Sequence, residues 1–343
     1  MTQTYTECSD SIRLVKDPLV SVVMITYNHE RYLAEAIEGV VRQETGFPVE
    51  LLIGEDCSTD GTREIALSYQ KRFPEMIRLI TSEGNVGMHN NSERLIAATR
   101  GKYVAFCEGD DVWIRSDKLE RQIALLESNS DISLVCSNVQ IISDSGAILT
   151  PDALHPPNGS EYYIPIEDVL FSLEVYTVTV CARREQVMRA LVDSPICRKG
   201  AYLFGDVTLW FELTRHGKCC CVPEVFCSYR FSNISASRQP DFYHRYRVFA
   251  NIHKFHNDVL DLYPLPGGDA AKVRATRFSL RYAAILGDPE TVRKQLQRLT
   301  ELGVAPTIKD RLLSLMAYFV RPRTLGAAAL KRCILTLRTI RDR

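Results

Sequence analysis

Residues 19–26 read Leu-Val-Ser-Val-Val-Met-Ile-Thr. The run is short, almost wholly apolar and rich in β-branched side chains, the signature of a strand buried on both faces. Outward from it, Arg31–Arg42 carries apolar residues at 33, 36, 37, 40 and 41, a helical stripe. A second strand is expected at Val49–Gly54 and a second helix at Gly61–Phe73. A third strand at Ile77–Thr81 and a third helix at Ser92–Thr99 lead to a fourth strand, Lys102–Cys107 (KYVAFC). This order predicts an α/β fold with a mostly parallel central sheet flanked by helices. Such sheets bind ligands beyond the carboxyl ends of their strands. Polar clusters stand at those ends here: Tyr27–Glu30, Glu55–Asp60, Glu83–Asn91 and Glu108–Asp111.

The middle of the chain is less regular. It predicts a strand at Tyr176–Ala182, a helix at Asp206–His216 stopped by Gly217, and a strand pair around Cys219–Arg230. From Gln239 onward the pattern is helical, with amphipathic stretches at 241–262, 269–287, 289–302 and 307–320 separated by prolines. The expected division is an N-terminal extension at 1–17, two halves of one α/β domain at 18–145 and 146–240, and a C-terminal helical region at 241–343.

Composition narrows the function. Of 343 residues, 45% are hydrophobic and 24% charged, which suits a globular chain. Lys+Arg and Asp+Glu both number 42, so no net basic field steers the chain onto nucleic acid, and no nucleic-acid partner is expected. The 11 cysteines include no C-x-x-C pair and point to reduced thiols in a cytoplasmic setting. No hydrophobic leader is visible at residues 1–10. Cys219, Cys220 and Cys221 alternate faces along a strand, so they cannot all meet one ion.

The segment Cys107-Glu108-Gly109-Asp110-Asp111-Val112-Trp113 sets three carboxylates in four residues at the end of a buried strand. Like charges crowded there call for a cation, and a hard divalent ion with oxygen ligands, Mn²⁺ or Mg²⁺, is the natural one. Gly109 lets backbone approach a phosphate closely. The chain resembles the family 2 glycosyltransferases of the GT-A fold. The residues that carry the resemblance are Ser21–Asn28 (SVVMITYN), Gly54–Thr62 (GEDCSTDGT), Gly84-Asn85-Val86-Gly87, Arg100-Gly101-Lys102-Tyr103 and Glu108–Asp111. It extends more thinly to Gly205–Trp210 (GDVTLW) and to Tyr229-Arg230.

That resemblance implies an inverting transfer of sugar from a nucleotide-diphosphate donor to an acceptor hydroxyl. The 18–145 half would bind the donor and the 146–240 half the acceptor. It implies a donor site built from Thr26, Tyr27, Asn28, Glu30, Glu55, Asp56, Asn85, Gly87, Glu108, Gly109 and Asp110. Tyr27 would cover the base, and Asp56 would accept a hydrogen bond from a uracil-like imide, which favours UDP-sugars. Asp110 is the expected main metal ligand, with Glu108 and Asp111 beside it; Glu108 stands where the family usually has Asp. Asp60 reads as turn and helix-start chemistry instead. Asp206 is the candidate general base, although a helix-start Asp is also a good cap. Trp113 and Trp210 are candidates for an acceptor platform, with a core position as the alternative.

Two other readings compete. A nucleotidyltransferase would want a Gly-rich basic loop after the first strand, and Thr26–Glu30 has no glycine. A catalytically silent binding module is suggested by Glu108 and opposed by Asp110 and Asp206. The expected acceptor is a glycan or lipid-linked species, met in the cytoplasm or at the inner face of the plasma membrane. Residues 309–343 hold nine Lys/Arg against two Asp, interleaved with apolar residues. Such a basic amphipathic stretch either lies on an anionic membrane or packs on the catalytic domain, the second favoured by the small residues Ala327–Ala329.

Overall fold

The computed structural model describes residues 5–155, 159–171, 175–198, 202–232, 242–264 and 268–319. Two compact units are present: residues 1–199 with 204–232, and residues 200–203 with 233–343. In the first, the elements run β1 (Tyr5–Cys8), β2 (Val20–Thr26), α1 (Leu33–Val41), β3 (Val49–Glu55), α2 (Thr62–Arg72), β4 (Ile77–Ser82), α3 (Met88–Ala98) and β5 (Tyr103–Phe106). Next come β6 (Val112–Trp113), α4 (Lys118–Ser128), β7 (Ile132–Ser143), β8 (Ile148–Thr150) and β9 (Tyr162–Ile164). The unit closes with α5 (Ile166–Phe171), β10 (Cys181–Arg183), α6 (Arg184–Asp193), α7 (Asp206–His216) and β11 (Lys218–Phe231).

The sheet order is β1-β4-β3-β2-β5-β10-β7-β11-β6, with β8 on β7 and β9 on β11. The run β4-β3-β2-β5 is parallel, as the βα alternation predicts. Beyond β5 the sheet becomes mixed: β10 is antiparallel to both β5 and β7, and β7 pairs parallel with β11. Val22, Met24, Leu51, Ile53, Leu33 and Ile37 are fully buried in the core beneath the parallel half.

Several elements differ from the sequence expectation. The N-terminal stretch is not only an extension: β1 pairs antiparallel with the edge strand β4. Around Cys219–Arg230 stands one long bulged strand, not a strand pair. Residues 177–179 form a 3₁₀ turn where a strand was expected, and only Cys181–Arg183 is extended. The cause is local. Thr179 Oγ1 donates to the Tyr176 carbonyl at 2.7 Å, Trp113 Nε1 to Val178 O at 2.9 Å, and Gln122 Nε2 to Thr179 O at 2.7 Å. Side chains thus take the carbonyls a ladder would have used.

The second unit contains α8 (Phe242–Leu262), α9 (Gly268–Leu286), α10 (Pro289–Glu301) and α11 (Ile308–Phe319). Asp288 caps α10, accepting from Thr291 N–H at 3.0 Å, and Leu280, Ala283, Ala284, Val292, Leu313 and Ala317 form its core. Residues 320–343 of the basic C-terminal stretch lie outside the described residues. Among the described residues no helix is long and apolar enough to cross a membrane.

Candidate active site

The site is assembled from loops leaving β2, β3, β4 and β5, joined by the start of α7. After β5, burial removes Glu108 from water, and the nearby Asp110 and Asp206 charges add to the effect, so its carboxyl is pushed up to about 8. Glu108 Oε2 is buried without a hydrogen-bond partner. Gly109 is demanded by packing: a Cβ there would stand 2.6 Å from Thr26 Oγ1 and 3.0 Å from His29 Nδ1. Those two atoms are also buried and unpartnered. Two orphaned polar atoms therefore stand against this glycine, and a third belongs to the residue before it. Each would cost about 1–3 kcal/mol if never satisfied, so together they point to a ligand.

Asp110 keeps a partly exposed carboxylate, with His29 Nε2 3.9 Å from its Oδ2. Its backbone is anchored by Arg230, whose Nε donates to Asp110 O at 2.8 Å. Arg230 is 3% exposed, reaches Ser143 O and Glu35, and lies over the Tyr32 ring. Asp111, by contrast, is withdrawn from the expected cation set. It is 2% exposed, and its Oδ1 accepts the Arg230 N–H at 2.7 Å. Burial, with Asp110 and Glu108 nearby, raises its carboxyl well above the usual range. It pins β11 to the acidic turn.

On the β2 side, Tyr27 is 42% exposed and free to cover a ligand. Asn28 holds φ +55°, and its Oδ1 accepts from Thr59 N–H at 2.9 Å. Glu30 is committed to the start of α2, where its Oε2 accepts from Gly61 N–H at 2.7 Å. Asp60 bonds Thr62 N–H at 3.0 Å, the turn chemistry expected of it. Glu55 is buried with Oε1 on Ser58 N–H at 2.6 Å and an ion pair to Arg63 at 2.5 Å. Glu30 and Glu55 thus hold loops in place.

Asp56 is buried and organises the loop after β4. Its two oxygens accept from Val86 N–H at 2.8 Å and Gly87 N–H at 2.9 Å. Asn85 Oδ1 also accepts from Gly87 N–H at 2.9 Å, and Gly87 supplies φ +84° before α3. A carboxylate has about four acceptor sites, so Asp56 retains capacity for a ligand donor.

Asp206 is exposed at the first turn of α7; the cap position belongs to Gly205. Its Oδ2 accepts from Thr177 Oγ1 at 2.9 Å and its Oδ1 from Val207 N–H at 2.8 Å. Trp113 and Trp210 are not an acceptor platform. They are 3% and 1% exposed; Trp113 stacks under Lys118 Nζ at 4.1 Å, and Trp210 meets Phe106 edge-on at 5.1 Å. Their large apolar area is buried in the core.

The sequence reading passed over His29 and Thr177. His29 lies inside the Tyr27–Glu30 cluster, so its position was a usable signal. Thr177 had none, because the turn that presents it was read as a strand. Among the described residues no three His, Cys, Asp or Glu side chains form a ready-made cation cage. The donor set still suits an ion shared with a ligand: Asp110 is partly exposed, Glu108 has an orphaned oxygen, and such ions are normally held by one or two carboxylates plus substrate phosphates.

Residues 21–184 match the model of the family described as glycosyl transferase family 2. That segment is similar to family 2 glycosyltransferase domains. The chain is 36% identical over 166 residues to Rv1520 of Mycobacterium tuberculosis, covering 48% of this chain and 47% of that protein. It is 29% identical over 221 residues to a Bacillus subtilis protein named for teichuronic acid biosynthesis, TuaG, covering 64% of this chain and 82% of TuaG. The chain spans about half the length of the first of these relatives. In fold it resembles the Pyrobaculum calidifontis mannosyltransferase PcManGT, solved with GDP-Man and Mn²⁺. The TM-score is 0.56 at 14% identity, over 94% of this chain and 87% of that one. The fold is that of the GT-A glycosyltransferases.

Proposed function

We propose that the chain is an inverting glycosyltransferase. It moves a sugar from a nucleotide-diphosphate donor, a UDP-sugar by preference, to a hydroxyl of a glycan or lipid-linked acceptor in surface polysaccharide or glycoconjugate assembly. The observation that carries the reading is the meeting of Thr26, Glu108, Asp110 and Asp206 at the carboxyl ends of the parallel strands, with buried polar atoms left unpartnered. The name of TuaG supports the polysaccharide setting.

In this reading the loops after β2 and β4 cradle the nucleotide, with Tyr27 over the base and Asp56 offering its spare lone pairs to the imide. Asp110 and Glu108 hold a divalent cation, which when bound would offset charge on the departing diphosphate. Asp206, oriented by Thr177, accepts the proton of the acceptor hydroxyl as that oxygen attacks the anomeric carbon. Inversion follows from a single displacement.

The test is thermal unfolding with UDP-, GDP- and dTDP-sugars, each with and without Mn²⁺. A ligand that binds only the native state raises its midpoint. A cation-dependent rise with UDP-sugars that is lost in Asp110→Asn supports the reading. No shift with any nucleotide sinks it.

A further inference from the structure

His29 stands against Asp110, and its presence there has no structural explanation. Its Nε2 lies 3.9 Å from Asp110 Oδ2, and no other basic group among the described residues pairs with that carboxylate. The histidine backbone is fixed independently of the ring. His29 N–H donates to Thr62 Oγ1 at 2.8 Å, and its carbonyl accepts from Tyr32 and Leu33 N–H at 2.9 Å each. The ring is therefore delivered to the acidic turn by the connection between β2 and α1. Its Nδ1 is buried without a partner, as is Thr26 Oγ1, and both stand within 3.0 Å of the point a Cβ on Gly109 would occupy.

We propose that His29 Nε2 is a ligand of the divalent cation that accompanies the donor diphosphate, shares that ion with Asp110, and biases the site toward Mn²⁺ over Mg²⁺. This rests on the nucleotide-sugar reading above. Two ligands about 2.1 Å from one octahedral ion stand roughly 3 Å apart when adjacent and roughly 4.2 Å apart when opposite. The observed 3.9 Å falls between, so an ion fits with small side-chain adjustments. Mg²⁺ insists on near-ideal oxygen coordination, whereas imidazole nitrogen suits transition-metal ions better. A nitrogen–oxygen pair therefore discriminates where two carboxylates would not. A ligating histidine normally donates its other N–H to an acceptor, and Thr26 Oγ1, likewise unpartnered beside the same glycine, would take that role once an ion draws the ring in. The remaining coordination positions fall to diphosphate oxygens and water.

The experiment measures cation uptake by the full chain with saturating UDP, and in parallel with GDP. Free Mn²⁺ is followed by its electron paramagnetic resonance signal, and Mg²⁺ by competition. Wild type, His29→Asn, His29→Ala and Asp110→Asn are compared, with unfolding midpoints without cation as the control for folding. The expected result is a loss of about tenfold or more in Mn²⁺ affinity in both His29 variants, with Mg²⁺ affinity nearly unchanged. Spin-echo modulation from imidazole ¹⁴N on bound Mn²⁺ is expected in wild type and absent from both variants. Equal losses for the two ions, or no imidazole signal in wild type, overturn the ligand role. An unchanged Mn²⁺/Mg²⁺ ratio, with binding lost in Asp110→Asn, overturns it while leaving the nucleotide-sugar reading intact. No cation uptake by wild type with either nucleotide overturns both.

Discussion

Asp206 and Glu108 are two carboxyls of one site in opposite environments. Asp206 is exposed at the start of α7, where Thr177 Oγ1 donates to it at 2.9 Å. The Asp206→Asn variant is expected to bind donor with wild-type affinity and to lose transfer by roughly 10²–10⁴-fold. A loss that instead tracks a lowered unfolding midpoint would make Asp206 a structural residue. Glu108 is half-buried with its Oε2 out of reach of water, and that burial raises its carboxyl from 4.5 to about 8. The folded chain thus keeps a proton that the unfolded chain releases near 4.5. Stability from this group is greatest below pH 4.5, declines between 4.5 and 8, and levels off above 8. Without cation or nucleotide, wild type should therefore lose stability relative to Glu108→Gln as pH rises from 5 to 8, read by denaturant unfolding at each pH. A constant difference would show that Glu108 is ionised throughout.

Single elements depend on a few polar side chains, some inside the family-like motifs and some outside them. Glu50, fully buried in β3, accepts from Ser21 Oγ at 2.6 Å and from Arg100 N–H at 2.9 Å, and Arg78 approaches it at 3.3 Å. The Arg100–Tyr103 motif is thus part of the sheet's scaffold, remote in role from the chemistry. Arg78 also grips Glu7 with two bonds, at 2.8 and 3.1 Å, which holds β1 on the sheet edge. Asp56 does the same for the loop between β4 and α3. Asp56→Asn replaces one acceptor oxygen by a donor and leaves the Val86 or Gly87 N–H opposed. The expected cost is about 1–3 kcal/mol, with faster amide exchange at Val86 and Gly87 and a raised donor KM. If Asp56 only read the base, stability and exchange would be unchanged and nucleotide preference alone would move.

At the scale of the whole molecule, α11 is two-sided. Leu313 and Ala317 are buried in the helical unit, while Ile308, Leu312, Leu315 and Tyr318 are exposed, one stripe along the helix. From this helix onward the chain carries nine Lys/Arg and two Asp. Apolar area beside net positive charge fits an anionic lipid surface, where each basic residue contributes about 1 kcal/mol. Co-sedimentation with vesicles containing anionic lipid at low salt, reversed by high salt, would assign the stripe to a membrane surface; no co-sedimentation is the outcome if the stretch packs on the catalytic domain, the reading Ala327–Ala329 favour. In the membrane case, Leu312→Glu with Leu315→Glu would abolish the binding without lowering the unfolding midpoint. Equal partitioning of wild type and variant would assign the stripe to another contact.

The parallel half of the sheet was legible in the sequence because its signals are local. Val20–Thr26, Val49–Glu55 and Ile77–Ser82 are apolar runs whose type follows from composition alone, and helices between parallel strands are a topological necessity. The order of motifs likewise marked Asp110 and Asp206 as site residues before any fold was known. What residues 21–28, 54–62 and 100–103 do was not legible, since scaffold and site share them. Only the folded chain separates Glu30, Glu55 and Asp111, spent on loop N–H groups, Arg63 and Arg230, from Thr26, Glu108 and Asp110, which keep free atoms. Only the fold buries Trp113 and Trp210, turns residues 177–179 toward Asp206, and sets His29 beside Asp110. Each of those outcomes depends on which distant groups compete for a donor, an acceptor or a place in the core, and that competition is decided by tertiary contact.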